Sequence, residues 1–134
     1  MFFTNIYPFG YCFNIISLRY LLQIKDIMEE RYTRNRIYVR PEEQQLIKNY
    51  SILLGGAGIG SIIAECALRF GFETITIVDG DIVDESNLNR QNYRMKDIGK
   101  TKAEVLKEHL LSINPNARVT AVNSFIDECN VEEL

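Results

Sequence analysis

Within this 134-residue chain, the stretch Leu53-Leu54-Gly55-Gly56-Ala57-Gly58-Ile59-Gly60-Ser61 has residue types and spacing suited to chemistry. A turn so rich in glycine can adopt positive φ angles and lets a phosphate come close to backbone N–H groups. The positive end of a following helix dipole would add to the attraction. Asp79 follows Gly60 by about 20 residues, the interval at which an acid ending the second strand accepts hydrogen bonds from ribose hydroxyls. Turn and acid together name a nucleotide and leave the reaction open. The G-x-G-x-x-G pattern is met imperfectly: counted from Gly55 its middle glycine is Ala57, and counted from Gly56 its last is Ser61. The plainer alternative is a tight turn that only packs a helix on a sheet.

These residues need elements to position them. Residues 51–54 form a short apolar run ending in glycines, which reads as a buried strand. Residues 58–70 carry Ile59, Ile62, Ile63, Ala67 and Phe70 at helical spacing, and Gly71 suits a left-handed cap. Cys66 falls in that apolar pattern and reads as a small core residue. Residues 74–78 are β-branched throughout and predict a second strand, buried on both faces and ending at Asp79. The polar loop 80–99 is long enough to suggest function. Residues 101–113 predict a helix with Ala103, Leu106, Leu110 and Ile113 as its buried stripe and His109 on its exposed side; Asn114-Pro115-Asn116 stops it. Residues 118–123 are a third strand candidate, and Pro41 with the acids after it opens an earlier helix. Strand, helix, strand, helix, strand predicts an α/β, Rossmann-like three-layer fold with a mainly parallel sheet and right-handed crossovers.

Composition narrows the function classes. The hydrophobic share of 46% and charged share of 25% are those of an ordinary globular protein, and a net charge of −3 gives no support for broad binding to nucleic acid or anionic lipid. Cys12, Cys66 and Cys129 form no C-x-x-C pair, so no zinc knuckle or redox motif is written; widely spaced free thiols fit a reducing, cytoplasmic setting. Cys129 has no nucleophile motif around it. Residues 1–27 are an atypical apolar extension, a poor signal peptide and a weak membrane span, because polar residues, Pro8, Gly10 and Arg19 interrupt the run. Met28 is an alternative start, just before a recognisable pattern begins at Arg31.

That pattern runs Arg31-Tyr32-Thr33-Arg34, the glycine turn, Asp79-Gly80-Asp81, Ser86-Asn87-Leu88-Asn89-Arg90-Gln91, Gly99-Lys100-Thr101-Lys102-Ala103 and Ile113-Asn114-Pro115. In this order it resembles the ThiF/MoeB/HesA family of ubiquitin-activating-type adenylyltransferases, over residues 28–134 and over the N-terminal part of the family's domain only. The resemblance implies ATP with Mg²⁺ as cofactors. It implies that Gly55, Gly58 and Gly60 lie against the nucleotide, that Asp79 holds the ribose, and that Asn87 shapes the site. It further implies that Arg90 and Lys102 contact phosphates and that Arg34 reaches the phosphates of a partner subunit in a homodimer. The implied reaction is adenylation of a carboxylate, with the C-terminus of a ubiquitin-like or sulfur-carrier protein as substrate; a small molecule, a tRNA-bound carboxylate or a peptide is equally compatible.

Each assignment has a rival. Arg34 sits among Arg31, Arg36 and Arg40, which could form a solvated basic face, and Lys102 has Lys96 and Lys100 as neighbours. Asp81 orders the loop or sits near the metal. Asn35 stands where the family usually has glutamine. A nicotinamide-dependent oxidoreductase could use the same turn and Asp79, but phosphate-directed cations beyond the ribose acid suit a triphosphate and are superfluous for hydride transfer. A non-catalytic pairing subunit or fragment is the third reading. The family's later metal-binding aspartate, its zinc site and any catalytic cysteine would fall beyond Leu134, so the fold is expected to be incomplete on its C-terminal side. The chain alone is then expected to be marginally stable or oligomeric and to adenylate weakly.

Overall fold

Three five-residue strands, β1 (Ser51–Gly55), β2 (Thr74–Val78) and β3 (Arg118–Val122), lie parallel in the order β1-β2-β3 in the computed structural model, which describes residues 30–131. The apolar extension, the alternative start at Met28, and Cys12 lie outside the described residues. The crossovers carry α2 (Gly60–Phe70) and α3 (Lys102–Ile113). Both step in the same direction across the sheet, so right-handed connections place both helices on one face, where they touch each other. The α/β, Rossmann-like expectation holds.

Register sorts the side chains. Ile52, Ile75 and Val119 form one row and Leu54, Ile77 and Ala121 the next, and both pack under Ala64, Leu68, Leu106 and Leu110 of the helices. The alternate row, Leu53, Thr76 and Thr120, faces away, and Leu53 is 47% exposed. The expectation that β2 is buried on both faces is therefore corrected: Ile75, Ile77 and Val78 are buried, whereas Thr74 and Thr76 are only half-buried.

α2 requires a second correction. The residues it turns inward are Ser61, Ala64 and Leu68, while Ile59, Ile62, Ile63 and Phe70 are exposed. Cys66 is exposed too, and is no core residue. The cause lies at the helix start. A Cβ on Gly60 would stand 3.3 Å from the Leu54 methyls, so the helix meets the sheet too closely for large side chains, and small ones take the inner face. With apolar residues on both sides, periodicity alone cannot choose the buried one.

The N-terminal elements dock at the far end of α2. Gly71 caps the helix at φ +122°, where an added Cβ would run into Gln44 of α1 (Pro41–Asn49). Gln44 and Asn35 both donate to the Phe70 carbonyl, each at 2.9 Å. Tyr32, on a 3-10 helix over Glu30–Ile37, donates to buried Glu73 at 2.7 Å, and Lys48 pairs with the same carboxylate at 3.3 Å. Asn35, the departure from the family pattern, thus ties this segment to the end of the sheet opposite the glycine turn.

Candidate nucleotide site

The glycine turn leaves β1 with Gly56 at φ +92°, a conformation that a side chain would strain, and the Gly56 N–H donates to the Val78 carbonyl at 2.8 Å. The next N–H, of fully buried Ala57, donates to Asp79 Oδ2 at 2.6 Å. Ile59 at the helix start gives no side-chain cap, and among the described residues no hydrogen bond takes the N–H of Gly58, Ile59 or Gly60. These three donors sit at the positive end of α2, as a phosphate requires.

Asp79 is only 8% exposed. Its Oδ1 accepts from the Asp81 N–H at 2.7 Å, so each oxygen is engaged once and keeps a second acceptor position. Asp81 in turn holds Lys102, with Nζ 2.8 Å from Oδ2 and the Lys102 N–H 3.0 Å from the Asp81 carbonyl. The lysine side chain is 8% exposed and the aspartate 55%, so a buried ammonium faces a half-solvated carboxylate. Asp81 therefore both orders the loop and fixes the lysine.

The long loop is built from two 3-10 turns, Glu85–Asn87 and Met95–Asp97, and a small core of Val83, Tyr93 and Val105. Asp84 caps the first turn through Ser86 N–H at 2.8 Å; Asn87, buried, accepts from the Asp84 N–H at 3.0 Å. The Asn87 carbonyl also takes the N–H groups of Arg90 and Gln91. Asn87 thus shapes the loop that carries Arg90. The Arg90 guanidinium itself is exposed and curls back on the Ser86 carbonyl (2.6 Å) and Asn89 (3.0 Å); among the described residues it makes no bond to Asp79, Asp81 or Lys102.

A cleft of about 390 Å³ opens beside the turn, lined by Gly55, Gly56, Val78, Asp79, Gly80, Asp81, Ser124, Phe125 and Ile126. Phe125 and Ile126 were not legible as site residues; they follow β3 without any motif. Their place is set by two glycines: a Cβ on Gly80 would stand 2.6 Å from the Phe125 ring and one on Gly55 2.9 Å from Ile126 Cδ1. Gly58 packs under Gln91, whose amide nitrogen is 3.3 Å from where a Cβ would stand.

Arg34 is not brought to this cleft. It is exposed on the 3-10 helix anchored at Phe70 and Glu73, so the 11 residues of α2, roughly 15 Å of helix, separate it from the turn. His109 also departs from expectation: it is half-buried, and its Nε2 lies 2.8 Å from Glu65 of α2. Glu65 additionally accepts from Arg69 and Asn92, each at 2.8 Å. His109 first, then Arg69 and Asn92, hold the Glu65 carboxyl down to about 2.

The ThiF family model matches residues 32–134. The chain belongs to the ThiF family. It is 36% identical over 112 residues to the tRNA threonylcarbamoyladenosine dehydratase of Escherichia coli, covering 82% of this chain and 42% of that protein. The solved structure of that relative in complex with ATP superposes with a TM-score of 0.73 over 78% of this chain and 44% of that one. A probable molybdopterin-synthase adenylyltransferase of Porphyra purpurea is 38% identical over 108 residues, 78% of this chain and 28% of that protein. The chain thus spans less than half the length of these relatives.

The site offers groups that suit a nucleoside triphosphate: free N–H groups at a helix end, the buried acid Asp79 at the end of β2 and the buried lysine Lys102. A metal fits less fully. Among the described residues no group of three His, Cys, Asp or Glu could hold an ion, and the carboxylates that line the cleft are Asp79 and Asp81. No helix among them is long and apolar enough to cross a membrane.

Proposed function

We propose that this chain supplies the ATP-binding half of a site that adenylates a carboxylate. The observation that carries the reading is one continuous run of contacts, Ala57 to Asp79 to Asp81 to Lys102, that joins the open helix end and the lysine through the two aspartates that line the cleft. In the reaction a substrate carboxylate oxygen attacks the α-phosphorus, the bond to the bridging oxygen breaks, and pyrophosphate leaves with the electron pair. Two anions must be brought together, so cations do most of the work. Lys102 is already buried beside the cleft; Arg90, exposed, reaches the phosphates by side-chain rotation. Asp79 accepts from the ribose hydroxyls with its remaining acceptor positions, and Gly55, Gly58 and Gly60 allow the close approach. Mg²⁺, bound with the triphosphate and near Asp81, would supply neutralisation of its charge. Phe125 and Ile126 give the cleft an apolar wall for the base.

The substrate we favour is the C-terminal carboxylate of a ubiquitin-like or sulfur-carrier protein. The chain works as a homodimer in which Arg34 serves the partner's site. Two observations support this: Arg34 lies at the wrong end of α2 to serve its own turn, and the outer face of α2 exposes Ile59, Ile62 and Ile63.

Calorimetry with Mg²⁺–ATP and with NAD, on the chain and on Arg90→Ala, tests the reading. ATP binding that NAD does not share and that Arg90→Ala weakens is the expected result. NAD binding, or ATP binding indifferent to Arg90, would put the oxidoreductase reading first.

A further inference from the structure

We propose that Tyr93 is a positioning residue for the phosphate turn, holding the Ala57 carbonyl inward so that the Gly58 N–H faces a bound phosphate. The Tyr93 hydroxyl donates to the Ala57 carbonyl at 2.7 Å, in a buried contact between residues 36 apart in sequence. The Ala57 N–H is held separately by Asp79. One residue is therefore gripped on both sides.

The consequence follows from peptide geometry. In a trans peptide the C=O and the next N–H point in opposite directions. There are no cis bonds among the described residues, so a carbonyl drawn inward to Tyr93 turns the Gly58 N–H outward. The alternative orientation is close at hand, because Gly58 has no Cβ to resist rotation of the peptide that precedes it. Rotated, the Ala57 carbonyl would present its negative end to the phosphate. Tyr93 selects the receptive orientation. Burial, with the charges of Asp79, Asp81 and Asp97, pushes the Tyr93 hydroxyl well above its usual range, so it stays a donor at every pH a protein normally meets.

A second tie acts in the same direction. Ser61 Oγ donates to the Gly58 carbonyl at 2.7 Å and accepts from the Asn92 N–H at 3.3 Å. Loop residues 92 and 93 thus fix two consecutive peptides of the turn, and the same loop carries Arg90. The turn and the arginine loop are one mechanical unit.

The ATP readout of the test rests on the nucleotide reading above; the exchange readout does not. In Tyr93→Phe the ring keeps its packing on Val83 and Val105 and loses only the hydroxyl. ATP affinity is expected to fall about tenfold while adenosine affinity is unchanged, which corresponds to one hydrogen bond's worth of lost order. In the ligand-free protein, amide exchange at Ala57 and Ser61, whose N–H groups are bonded to Asp79 and to the Gly58 carbonyl, is expected to quicken by a similar factor, and Ser61→Ala should move both readouts the same way. Equal loss for ATP and adenosine, or unchanged exchange at the turn in both variants, would overturn the proposal. If the parent chain binds neither ligand, the nucleotide reading fails, and exchange alone then decides the role of Tyr93.

Discussion

Asp79→Asn separates the two tasks assigned to one carboxylate. In the parent, Oδ2 accepts from Ala57 and Oδ1 from Asp81, at 2.6 and 2.7 Å, on a side chain that is 8% exposed. Asparagine keeps one acceptor oxygen and turns an NH₂ toward the other backbone N–H. One charge-assisted bond, about 1.5–3 kcal/mol, is lost and a buried donor is left facing another donor. The expected cost is about 3 kcal/mol, read as a lower urea midpoint at unchanged slope. Ribose binding is judged separately by comparing ATP with 2′,3′-dideoxy-ATP. Any disturbance of the turn affects both ligands alike, so the ratio of their affinities isolates the hydroxyl contacts. The parent should prefer ATP by about tenfold to a hundredfold, and Asp79→Asn should erase most of that preference. A preference that survives the substitution would refute the ribose assignment. An unchanged urea midpoint would refute the buried clamp.

Lys102→Met should weaken ATP binding about tenfold or more yet leave adenosine affinity and stability nearly unchanged, since Asp81, 55% exposed, is then solvated by water; calorimetry with both ligands checks this, and equal losses would count against a phosphate role. Glu65→Gln should narrow its stability gap to the parent as pH falls. Its folded carboxyl is lowered from 4.5 to about 2, so the contribution, at most about 3 kcal/mol, is full above pH 4.5 and lost toward pH 2. Urea titrations of both chains at pH 7, 4 and 2.5 measure it, and a gap independent of pH would argue against the cluster. Ile63→Asp should convert a dimer to a monomer in sedimentation with its circular dichroism unchanged; a parent that sediments as a monomer at about 50 µM would remove the α2 face from consideration.

Element order and type were legible because each strand is a short β-branched or apolar run, and α2 and α3 stop at a glycine and at an Asn-Pro pair. Gly71 was readable as a cap for the same reason. The rotation of α2 was not, since both of its sides are apolar and the deciding contact, Gly60 against Leu54, is tertiary. Cys66 was misassigned with it. Asp79 was read from its spacing to the glycine turn, and Asn87 and Lys102 from the family resemblance; the fold brings Asp79 and Lys102 together through Asp81. Phe125 and Ile126 gave no signal, because what seats them is the missing Cβ atoms of Gly80 and Gly55, which sequence spacing cannot connect to residues far along the chain. Helical phase put His109 on the exposed side; its partner Glu65 comes from a different helix, again a matter of packing.

The position of Arg34 bears on how many chains one site needs. Its 3-10 helix is fastened at three points, Tyr32 to Glu73, Asn35 to Phe70 and Asn35 to Gln44, all at the end of α2 remote from the turn. Swinging that segment to its own cleft would break three hydrogen bonds, all donated by a buried or half-buried side chain, and would uncover Gln44. That cost has no visible return within one chain. A two-fold partner removes the difficulty: if α2 packs against its copy in antiparallel fashion, the remote end of one helix lies beside the turn of the other. The outward stripe of Ile59, Ile62, Ile63 and Phe70 runs the length of the helix and suits such a contact, with Ile59 near one turn and Phe70 near the segment that carries Arg34. Arg34 and the α2 face are thus a single proposition: Arg34 serves a nucleotide only if that face is covered by a second copy.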